Sequence, residues 1–308
     1  MSDTQFKSIR RLPSEHLLAP GTPMCAGCGG LEALKQICDV LGDQTVFVNA
    51  AGCMTLLCVY PFTPFRGSWL YTAMASAPAG AQGVRDALDV LREKGRLAPR
   101  DDLDVVVLAG DGSSYGMGLS STSGAIERGL DFLYICYDNE GYGNTGQQTS
   151  EATPHGARTA TSTGSSGNPG EKKDLFAIWA AHRPTYLATV VAAEPLDLAR
   201  KIERAKNLKG PRLILALAPC PTGWGFNSSE TVEIGRLAVE TGVWPLKEFL
   251  SGMTVHAPIP WPRPPVERYL RRQARYRHLF EPERNEAVLA GLQDRVNRYW
   301  DTVSQSRG

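Results

Sequence analysis

The 308-residue sequence lacks the features of membrane, nucleic-acid-binding and secreted proteins. No apolar run approaches the roughly 20 residues that a membrane-spanning helix requires. The net charge is only +1, so the chain as a whole has no electrostatic preference for nucleic acid or for a membrane surface. No apolar segment follows the charges near the N-terminus, so we expect no signal peptide. No internal repeat is visible, and an ordinary globular chain is favoured.

The cysteine content is too irregular for a disulfide framework. The chain has seven cysteines, an odd number, and several lie in apolar, core-like segments. Disulfide-stapled secreted domains usually carry an even number, so we expect a reducing, cytoplasmic location. A hydrophobic content of 42% is enough for one large or two modest domains.

The strongest local pattern lies between residues 105 and 146. A short β-branched run at 105–108 is typical of a buried strand. A small-residue helix, about residues 116–128, and a second apolar run at 132–137 follow. Strand, helix and strand indicate a βαβ unit, whose parallel strands are neighbours and end at the same edge of the sheet. Ligands of such sheets bind beyond that edge.

Polar residues stand at both strand ends of this unit. Asp111 follows the first strand, and 26 residues separate the last glycine of Gly110-Asp111-Gly112 from Asn139. Carboxylate, amide and carbonyl oxygens are ligands of Mg²⁺, and we expect the carbonyl of Gly141 to be the third. Gly110 and Gly112 let backbone amides approach a phosphate. The pattern resembles the thiamine-diphosphate motif and predicts a magnesium and diphosphate site rather than a purely structural turn.

Strands and helices alternate along most of the chain. This predicts an α/β fold with a doubly wound, mostly parallel sheet of the thiamine-diphosphate-binding type, and a helical C-terminal arm. We expect residues 1–257 to form the cofactor and cluster domain. From residue 258 a Pro-rich arm and two helices, about 266–280 and 284–303, are expected to make subunit contacts. The other predicted elements are helices at about 31–41, 81–94, 175–181 and 195–207 and strands at 45–49, 185–191 and 212–217.

Four cysteines lie at predicted turns and strand ends. Cys25 and Cys28 form a CxxC pair in a glycine-rich turn, and Cys53 and Cys220 each follow a predicted strand. Four thiolates hold either zinc or a [4Fe–4S] cluster. Zinc ribbons usually contain two CxxC pairs, whereas here two of the cysteines come singly from distant strand ends. This arrangement favours the cluster, with zinc as the alternative. The other three are expected to be buried core residues: Cys38, Cys58 and Cys136.

Together these motifs resemble a known enzyme family. The chain is similar to the β subunit of pyruvate:ferredoxin oxidoreductase and its relatives, the 2-oxoacid:acceptor oxidoreductases, over nearly its whole length. The similarity rests on the segments 25–30 (CAGCGG), 52–53 (GC), 60–63 (YPFT), 110–112 (GDG), 137–146 (YDNEGYGNTG), 152–157 (ATPHGA), 217–224 (LAPCPTGW) and 273–279 (QARYRHL).

The resemblance implies roles for individual residues. The family's ligands of a [4Fe–4S] cluster close to thiamine diphosphate match Cys25, Cys28, Cys53 and Cys220. Its magnesium ligands match Asp111, the side chain of Asn139 and the carbonyl of Gly141. The asparagine that matches Asn144 approaches the thiazolium and the substrate, so Asn144 is the candidate catalytic residue. Cys53 is also expected beside the cofactor, and Tyr142 is either a cofactor contact or a packing residue.

The resemblance also implies an activity and partners. The activity is the oxidative decarboxylation of a 2-oxoacid to its acyl-coenzyme A, with electrons passing from thiamine diphosphate to the cluster. The implied partners are an α subunit with the pyrimidine-binding domain and its activating glutamate, a γ subunit and a ferredoxin-like δ subunit. Electrons would leave to ferredoxin or, through a flavin subunit, to NAD. No nucleic acid or membrane is implied.

One stretch departs from the pattern of pyruvate-specific members. Those members usually carry a Pro-Trp-Ile-His-like run and then Phe-Glu-Asn, where this chain has RGSWLY at 66–71 and MAS at 74–76. Tyr71 thus replaces a histidine. A less polar, roomier neighbourhood suits a bulkier or aromatic 2-oxoacid such as phenylglyoxylate. If the differences are instead sequence drift at a subunit contact, pyruvate stays the expected substrate. Enzymes of 2-oxoglutarate resemble one another through a different turn, so that substrate is disfavoured.

Two other classes stay open. A non-oxidative thiamine diphosphate decarboxylase or synthase needs no cluster, so iron-free protein would favour it. A zinc-stabilised, non-catalytic assembly subunit would contain zinc and no sulfide. Six arginines between Arg263 and Arg277 predict a solvated helix face or a subunit contact, with a dock for an acidic partner as the alternative.

Overall fold

The computed structural model of the chain describes residues 4–13, 17–59, 61, 63–98 and 103–305. The strands are β1 Thr45–Ala50, β2 Ser68–Thr72, β3 Asp104–Gly110, β4 Phe132–Asp138, β5 Tyr186–Val191, β6 Pro211–Leu217, β7 Lys247–Leu250 and β8 Met253–His256. The helices are α1 Gly29–Leu41, α2 Ala77–Glu93, α3 Leu119–Glu127, α4 Leu175–Ala181, α5 Pro195–Lys206, α6 Thr231–Glu240, α7 Glu267–Leu270 and α8 Glu286–Gln305.

These strands form one eight-stranded sheet in the order β2-β1-β3-β4-β6-β5-β7-β8. The first six positions are parallel, and β7 and β8 close one edge as an antiparallel hairpin. The predicted α/β fold with a mostly parallel sheet is confirmed. In the described part of the chain, no helix combines the length and apolar composition that crossing a membrane requires.

The sheet is buried on both faces, which explains its apolar, β-branched strands. In β3, Val105 and Val107 face the layer that contains α2, α3, α4 and α6. Val106 and Leu108 face the opposite layer, built from α1 and α5. Successive side chains of a strand point to opposite faces, so one short run of valine and leucine serves both cores.

The βαβ unit is present, but its helix differs from the prediction. Instead of one helix at 116–128, a π-helical turn at Gly112–Met117 is followed by α3. Gly118 stands at the junction, where a Cβ would lie 2.9 Å from the Ser113 carbonyl oxygen. The π-helical turn begins two residues after the end of β3 and buries Ser113, Ser114 and Tyr115. It therefore keeps Asp111 at the edge of the sheet.

Other local predictions were wrong or incomplete. The helix expected at 266–280 is the single turn α7 and a 3₁₀ turn at Ala274–Leu279, separated at Gln273, whose backbone is extended. No element was predicted for β2, α6, β7 or β8. Strand β2 lies at the sheet edge with mostly exposed residues, so it has no burial alternation to detect. Helix α2 begins at Ala77, four residues before the predicted start, with a proline in its first turn.

The C-terminal segment packs onto the sheet domain. Val266, Tyr269, Tyr276, Leu279 and Leu289 are buried in the same core layer as α2 and α3. The division of the chain at residue 258, with subunit contacts beyond it, stays a prediction. What the packing does establish is that residues far apart in sequence, on α7 and the following 3₁₀ turn, lie against the end of β4 and the turn that follows it.

Candidate active site

The parallel pairing of β3 and β4 sets the centre of the site. Gly110 is the register partner of Tyr137, so Asp111 and Asn139 leave neighbouring strands at the same edge. Both are buried, at 1% and 7% exposure. Ser150, from the long loop after this turn, donates a hydrogen bond to Asp111 Oδ2. The sequence offered no local signal for this contact.

Three oxygen atoms meet at this edge. The amide oxygen of Asn139 lies 2.8 Å from Asp111 Oδ1 and 2.7 Å from the carbonyl oxygen of Gly141. In this orientation three acceptors face one another, whereas turning the amide over would let its nitrogen donate to both oxygens. An octahedral Mg²⁺ with bonds of about 2.0–2.1 Å holds neighbouring ligand oxygens about 2.9 Å apart. Both spacings from the Asn139 oxygen therefore fit neighbouring ligands of a magnesium octahedron.

The electrostatics of Asp111 agree with a cation site. Burial raises the pKa of its carboxyl well above the ordinary value, and the nearby charge of Asp138 raises that pKa further. The hydrogen bond from Ser150 acts in the opposite direction. A buried carboxylate with a like charge beside it is costly unless a positive charge compensates it. A divalent cation on the three oxygens would supply that charge.

A cleft of about 180 Å³ opens at this edge of the sheet. Its walls include eight predicted site residues: Cys53, Gly110, Asp111, Gly112, Asn139, Gly141, Tyr142 and Asn144. Tyr71 and Met74, from the stretch that departs from the pyruvate pattern, also line it. Of the predicted 60–63 segment, Tyr60 and Phe62 lie outside the described residues.

Tyr142 both lines this cleft and packs on the diphosphate turn. A Cβ added to Gly112 would lie 2.1 Å from Cε1 of the Tyr142 ring, so only glycine fits beneath it. The backbone of Tyr142 forms an isolated antiparallel β-bridge with Gln148, and this pairing closes the turn that carries Asn144. Asn144 itself is exposed on the open side of the cleft. The ring thus packs on Gly112 and also borders the cleft.

The CxxC turn is held against the segment that carries Cys220. The N–H of Gly29 donates to the carbonyl of Pro219 at 3.0 Å. A Cβ on Gly29 would lie 2.7 Å from that carbonyl oxygen, and one on Gly27, whose φ is +67°, would lie 2.2 Å from the Ser228 carbonyl oxygen. The glycines around the cysteines are therefore needed for this close approach.

Amide groups already point at two of the four sulfurs. The N–H of Leu31 donates to Cys28 Sγ at 3.4 Å, and the N–H of Gly223 donates to Cys220 Sγ at 3.3 Å. Asn139 Nδ2 lies 3.9 Å from Cys53 Sγ. Amide hydrogen bonds to sulfur stabilise a bound thiolate and tune the potential of an iron–sulfur cluster.

The four thiols are close enough to influence one another. Burial raises the pKa of Cys53 to about 12, and the charges of Cys28, Cys220 and Cys25 raise it as well. Burial also raises the pKa of Cys28 to about 11. Within the described ranges, no three His, Cys, Asp or Glu side chains are grouped closely enough to hold a single metal ion. The thiols thus gather around a common region without converging on one point.

The remaining cysteines differ in part from expectation. Cys38 and Cys136 are fully buried in the two core layers, as predicted. Cys58 is only half-buried, and its Sγ donates to the Thr55 carbonyl at 3.1 Å. It is the last residue of the 3₁₀ turn that begins at Cys53, and the apolar sequence of this turn did not reveal the partial exposure.

Comparison with known proteins decides the family. The model of the thiamine pyrophosphate enzyme C-terminal TPP binding domain matches residues 50–216. The pyruvate synthase subunit PorB of Methanothermobacter thermautotrophicus is 44% identical, over 96% of this chain and 98% of that protein. The chain belongs to the β subunits of the 2-oxoacid:ferredoxin oxidoreductases. It carries a thiamine-diphosphate-binding domain and works as part of a multisubunit complex.

Two further comparisons place this β subunit among related proteins. The ketoisovalerate oxidoreductase subunit VorB of Pyrococcus abyssi is 38% identical, over 96% of this chain and 94% of that protein. The solved 2-oxoglutarate:ferredoxin oxidoreductase from Magnetococcus marinus, with 2-oxoglutarate, coenzyme A and succinyl-CoA bound, is 23% identical with a TM-score of 0.55. It covers 72% of this chain and 70% of its own, and it shows a shared fold.

One part of the β-subunit site was missed by sequence reasoning. Asp138 and Glu140, on either side of Asn139, are buried carboxylates. Lys172 Nζ lies 2.7 Å from Asp138 Oδ2 and 2.9 Å from Glu140 Oε1. Arg275, one of the six arginines predicted on a solvated face or a subunit contact, is instead 5% exposed and pairs with Glu140 at 2.6 Å. The prediction was wrong for Arg275 because its guanidinium turns inward to neutralise a buried acid.

Proposed function

We propose that this β subunit binds Mg²⁺–thiamine diphosphate and one [4Fe–4S] cluster and oxidises a 2-oxoacid to its acyl-coenzyme A. The observation that carries the proposal is the position of the Asn139 side chain. Its oxygen faces Asp111 and Gly141, and its nitrogen faces Cys53 Sγ at 3.9 Å. A single amide thus borders both the predicted magnesium site and the predicted cluster site.

The residues present fit magnesium and a diphosphate. Asp111, Asn139 and Gly141 would supply one carboxylate, one amide and one carbonyl oxygen, and the diphosphate and water would complete the octahedron. Gly110 and Gly112 leave the backbone beside them uncovered by side chains. The raised pKa of Asp111, caused first by burial, supports a site that is completed by positive charge.

The cysteines fit a four-iron cluster better than a single zinc. A cubane has one iron for each thiolate, so Cys25, Cys28, Cys53 and Cys220 do not have to converge on one point. The charges of Cys28, Cys220 and Cys25 raise the pKa of Cys53, which supports four thiols within reach of one another. The amides of Leu31 and Gly223 would donate to the bound sulfurs.

The chain supplies one half of a reaction chamber. When bound, thiamine diphosphate provides the nucleophile and electron sink that 2-oxoacid decarboxylation needs, and a [4Fe–4S] cluster accepts electrons singly. Asp111, Asn139 and Gly141 would orient the diphosphate, and Asn144 would face the reacting centre from the open side of the cleft. We expect the opposite wall, with the activating glutamate, on the α subunit.

The expected complex contains α, γ and ferredoxin-like δ subunits, and coenzyme A is the acyl acceptor. Ferredoxin is the expected electron acceptor, with NAD through a flavin subunit as the alternative. None of the seven cysteines, all of which lie in described residues, forms a disulfide, which favours a reducing cytoplasm.

Pyruvate is the first candidate substrate, because several relatives at 36–44% identity are pyruvate synthase subunits. A bulkier 2-oxoacid, branched or aromatic like phenylglyoxylate, is the second candidate. It is favoured by Tyr71 and Met74 on the cleft wall and by the relative named ketoisovalerate oxidoreductase. Tyr71 is 52% exposed in the isolated chain and would border a chamber shared with the α subunit.

The test is a cofactor and substrate analysis of the purified, anaerobic complex. We expect thiamine diphosphate, Mg²⁺ and four iron and four sulfide per β subunit beyond those of the δ subunit. We also expect 2-oxoacid-dependent reduction of a viologen dye that requires coenzyme A. Ranking kcat/KM for pyruvate, 2-oxoisovalerate, phenylglyoxylate and 2-oxoglutarate identifies the substrate.

The same analysis separates the competing functions. Iron-free protein that decarboxylates a 2-oxoacid without dye reduction would establish a non-oxidative thiamine enzyme instead. Zinc without sulfide, together with no turnover, would establish a non-catalytic assembly subunit. Tyr71→His adds a control for specificity, since it should raise the preference for pyruvate if this wall selects the substrate.

A further inference from the structure

Glu140 occupies an unusual position between two predicted magnesium ligands. Its φ is +61°, in the left-handed region that residues other than glycine seldom adopt. It is 3% exposed, and it joins Asn139 to Gly141. This left-handed residue reverses the chain so that the Gly141 carbonyl returns to within 2.7 Å of the Asn139 amide oxygen. The aim of that carbonyl therefore depends on how Glu140 is held.

Two cations hold the carboxylate of Glu140. Lys172 Nζ lies 2.9 Å from Oε1, and Arg275 Nη2 lies 2.6 Å from Oε2. Lys172 is shared with Asp138, whereas Arg275 has no other acidic partner among the described residues. The side chains of Glu140 and Arg275 are 4% and 3% exposed, so water contributes little to their solvation. Arg275 is therefore the counter-charge that Glu140 does not share with a second acid.

Arg275 also reaches the other side of the turn. Its guanidinium carbon lies 4.0 Å from the centre of the Trp224 ring. The indole N–H of Trp224 donates to the Asn139 carbonyl at 2.8 Å. Arg275 Nε donates to Gln273 Oε1 at 2.8 Å, which fixes the guanidinium in its plane. One C-terminal arginine thus supports Glu140 directly and Asn139 through a single ring.

We propose that Arg275 is a positioning residue of the magnesium–diphosphate site, holding the left-handed Glu140 turn so that Asn139 and Gly141 present their oxygens to Mg²⁺. The inference rests on the proposed magnesium site and adds to it a residue from the C-terminal segment. Residues that orient metal ligands typically change metal affinity about 10–100-fold when they are removed. An arginine that only stabilised the fold would change thermal stability and leave the metal affinity of the folded protein as it was.

The test measures Mg²⁺ binding in the cofactor-stripped, assembled complex at a fixed concentration of thiamine diphosphate. We compare Arg275→Met and Arg275→Lys with Arg268→Met, since Arg268 is an exposed arginine of the same segment. Calorimetry gives the Mg²⁺ concentration at half-saturation, and thermal melting of the stripped complex monitors the fold. Arg275→Met should raise the half-saturation concentration about 10–100-fold. Arg275→Lys should recover part of the loss, and Arg268→Met should match the unmodified complex.

Two variants of Glu140 keep the test decisive if Arg275→Met does not assemble. Glu140→Gln keeps the shape but removes the charge, and Glu140→Gly relieves the left-handed backbone while it removes the ion pair. Both should weaken Mg²⁺ binding if the ion pair positions the turn. Unchanged half-saturation in Arg275→Met, or in both Glu140 variants, would overturn the inference. Failure of the unmodified complex to bind Mg²⁺–thiamine diphosphate would instead overturn the proposed function.

Discussion

The indole nitrogen of Trp224 donates a hydrogen bond to the backbone carbonyl of Asn139 at 2.8 Å. Trp224 belongs to the short π-helical turn that begins directly after Cys220. A predicted ligand of the cluster and a predicted ligand of magnesium are therefore joined through one side chain. We therefore expect a substitution on either turn to alter the geometry of the other.

Trp224→Phe should weaken both centres. It removes the N–H donor and leaves the buried Asn139 carbonyl unpaired, which costs about 1–3 kcal/mol of stability. We expect a lower melting temperature and weaker thiamine diphosphate binding, measured by calorimetry on the assembled complex. Trp300→Phe is the matched control, because its indole donates a similar bond to Gly242 at 3.0 Å and neither residue lines the cleft. Equal cofactor affinity in the two variants would contradict the link.

Asp111→Ala should abolish Mg²⁺-dependent binding of thiamine diphosphate and leave the iron content near normal. The carboxylate is the charged member of the three-oxygen set, whereas the cysteines lie on other turns. Cofactor content and iron content of the purified complex are the measurements. Asp104→Ala, at the opposite end of the same strand, is the control and should retain the cofactor. Full cofactor occupancy in Asp111→Ala would remove Asp111 from the ligand set.

Cys220→Ala should lose or convert the cluster, because three thiolates hold a cubane poorly. Cys38→Ala should keep it, since Cys38 is fully buried on the core-facing side of α1. Iron and sulfide analysis and the EPR spectrum of the reduced protein distinguish the two variants. If their spectra and iron contents agree, the proposed cluster ligands are wrong.

The chain alone should be catalytically inactive. Thiamine diphosphate is activated by a glutamate on a pyrimidine-binding domain, and the only diphosphate-type unit in the described residues lies at the ends of β3 and β4. The cleft of about 180 Å³ opens outward, as half of a shared site would. The experiment is to reconstitute the isolated chain with cluster and cofactor and to assay 2-oxoacid-dependent viologen reduction. Turnover comparable with the complex would place the activating carboxylate in this chain.

The local parts of the fold were predictable because local physics encodes them. The β-branched run of β3 and the apolar run of β4 predict buried strands from their own residues, without information from the rest of the chain. Two parallel neighbours end at one edge of a sheet, so the pairing of Asp111 with Asn139 follows from the order of strand, helix and strand. The family resemblance added the cysteine set, which spacing alone left open between zinc and iron.

The tertiary contacts were less predictable because they depend on packing. Tyr71 reaches the cleft through an edge strand with no burial alternation, and Ser150 reaches Asp111 from a loop 39 residues away. The break at Gln273 was missed because the stretch around it alternates apolar and basic residues in a way that also suits a continuous helix.

The sequence by itself determined the α/β unit, the glycine turns and the positions of Asp111 and Asn139 at the ends of β3 and β4, since each depends on the local sequence pattern. Only the tertiary structure decided the ion pair of Arg275 with Glu140, which lies 135 positions away in the sequence, since Arg275 stands among other arginines. Whether an arginine faces water or a buried carboxylate depends on which surface its turn packs against. Here the 3₁₀ turn after α7 packs beside Trp224, and the buried charge of Glu140 supplies the reason for Arg275 to turn inward.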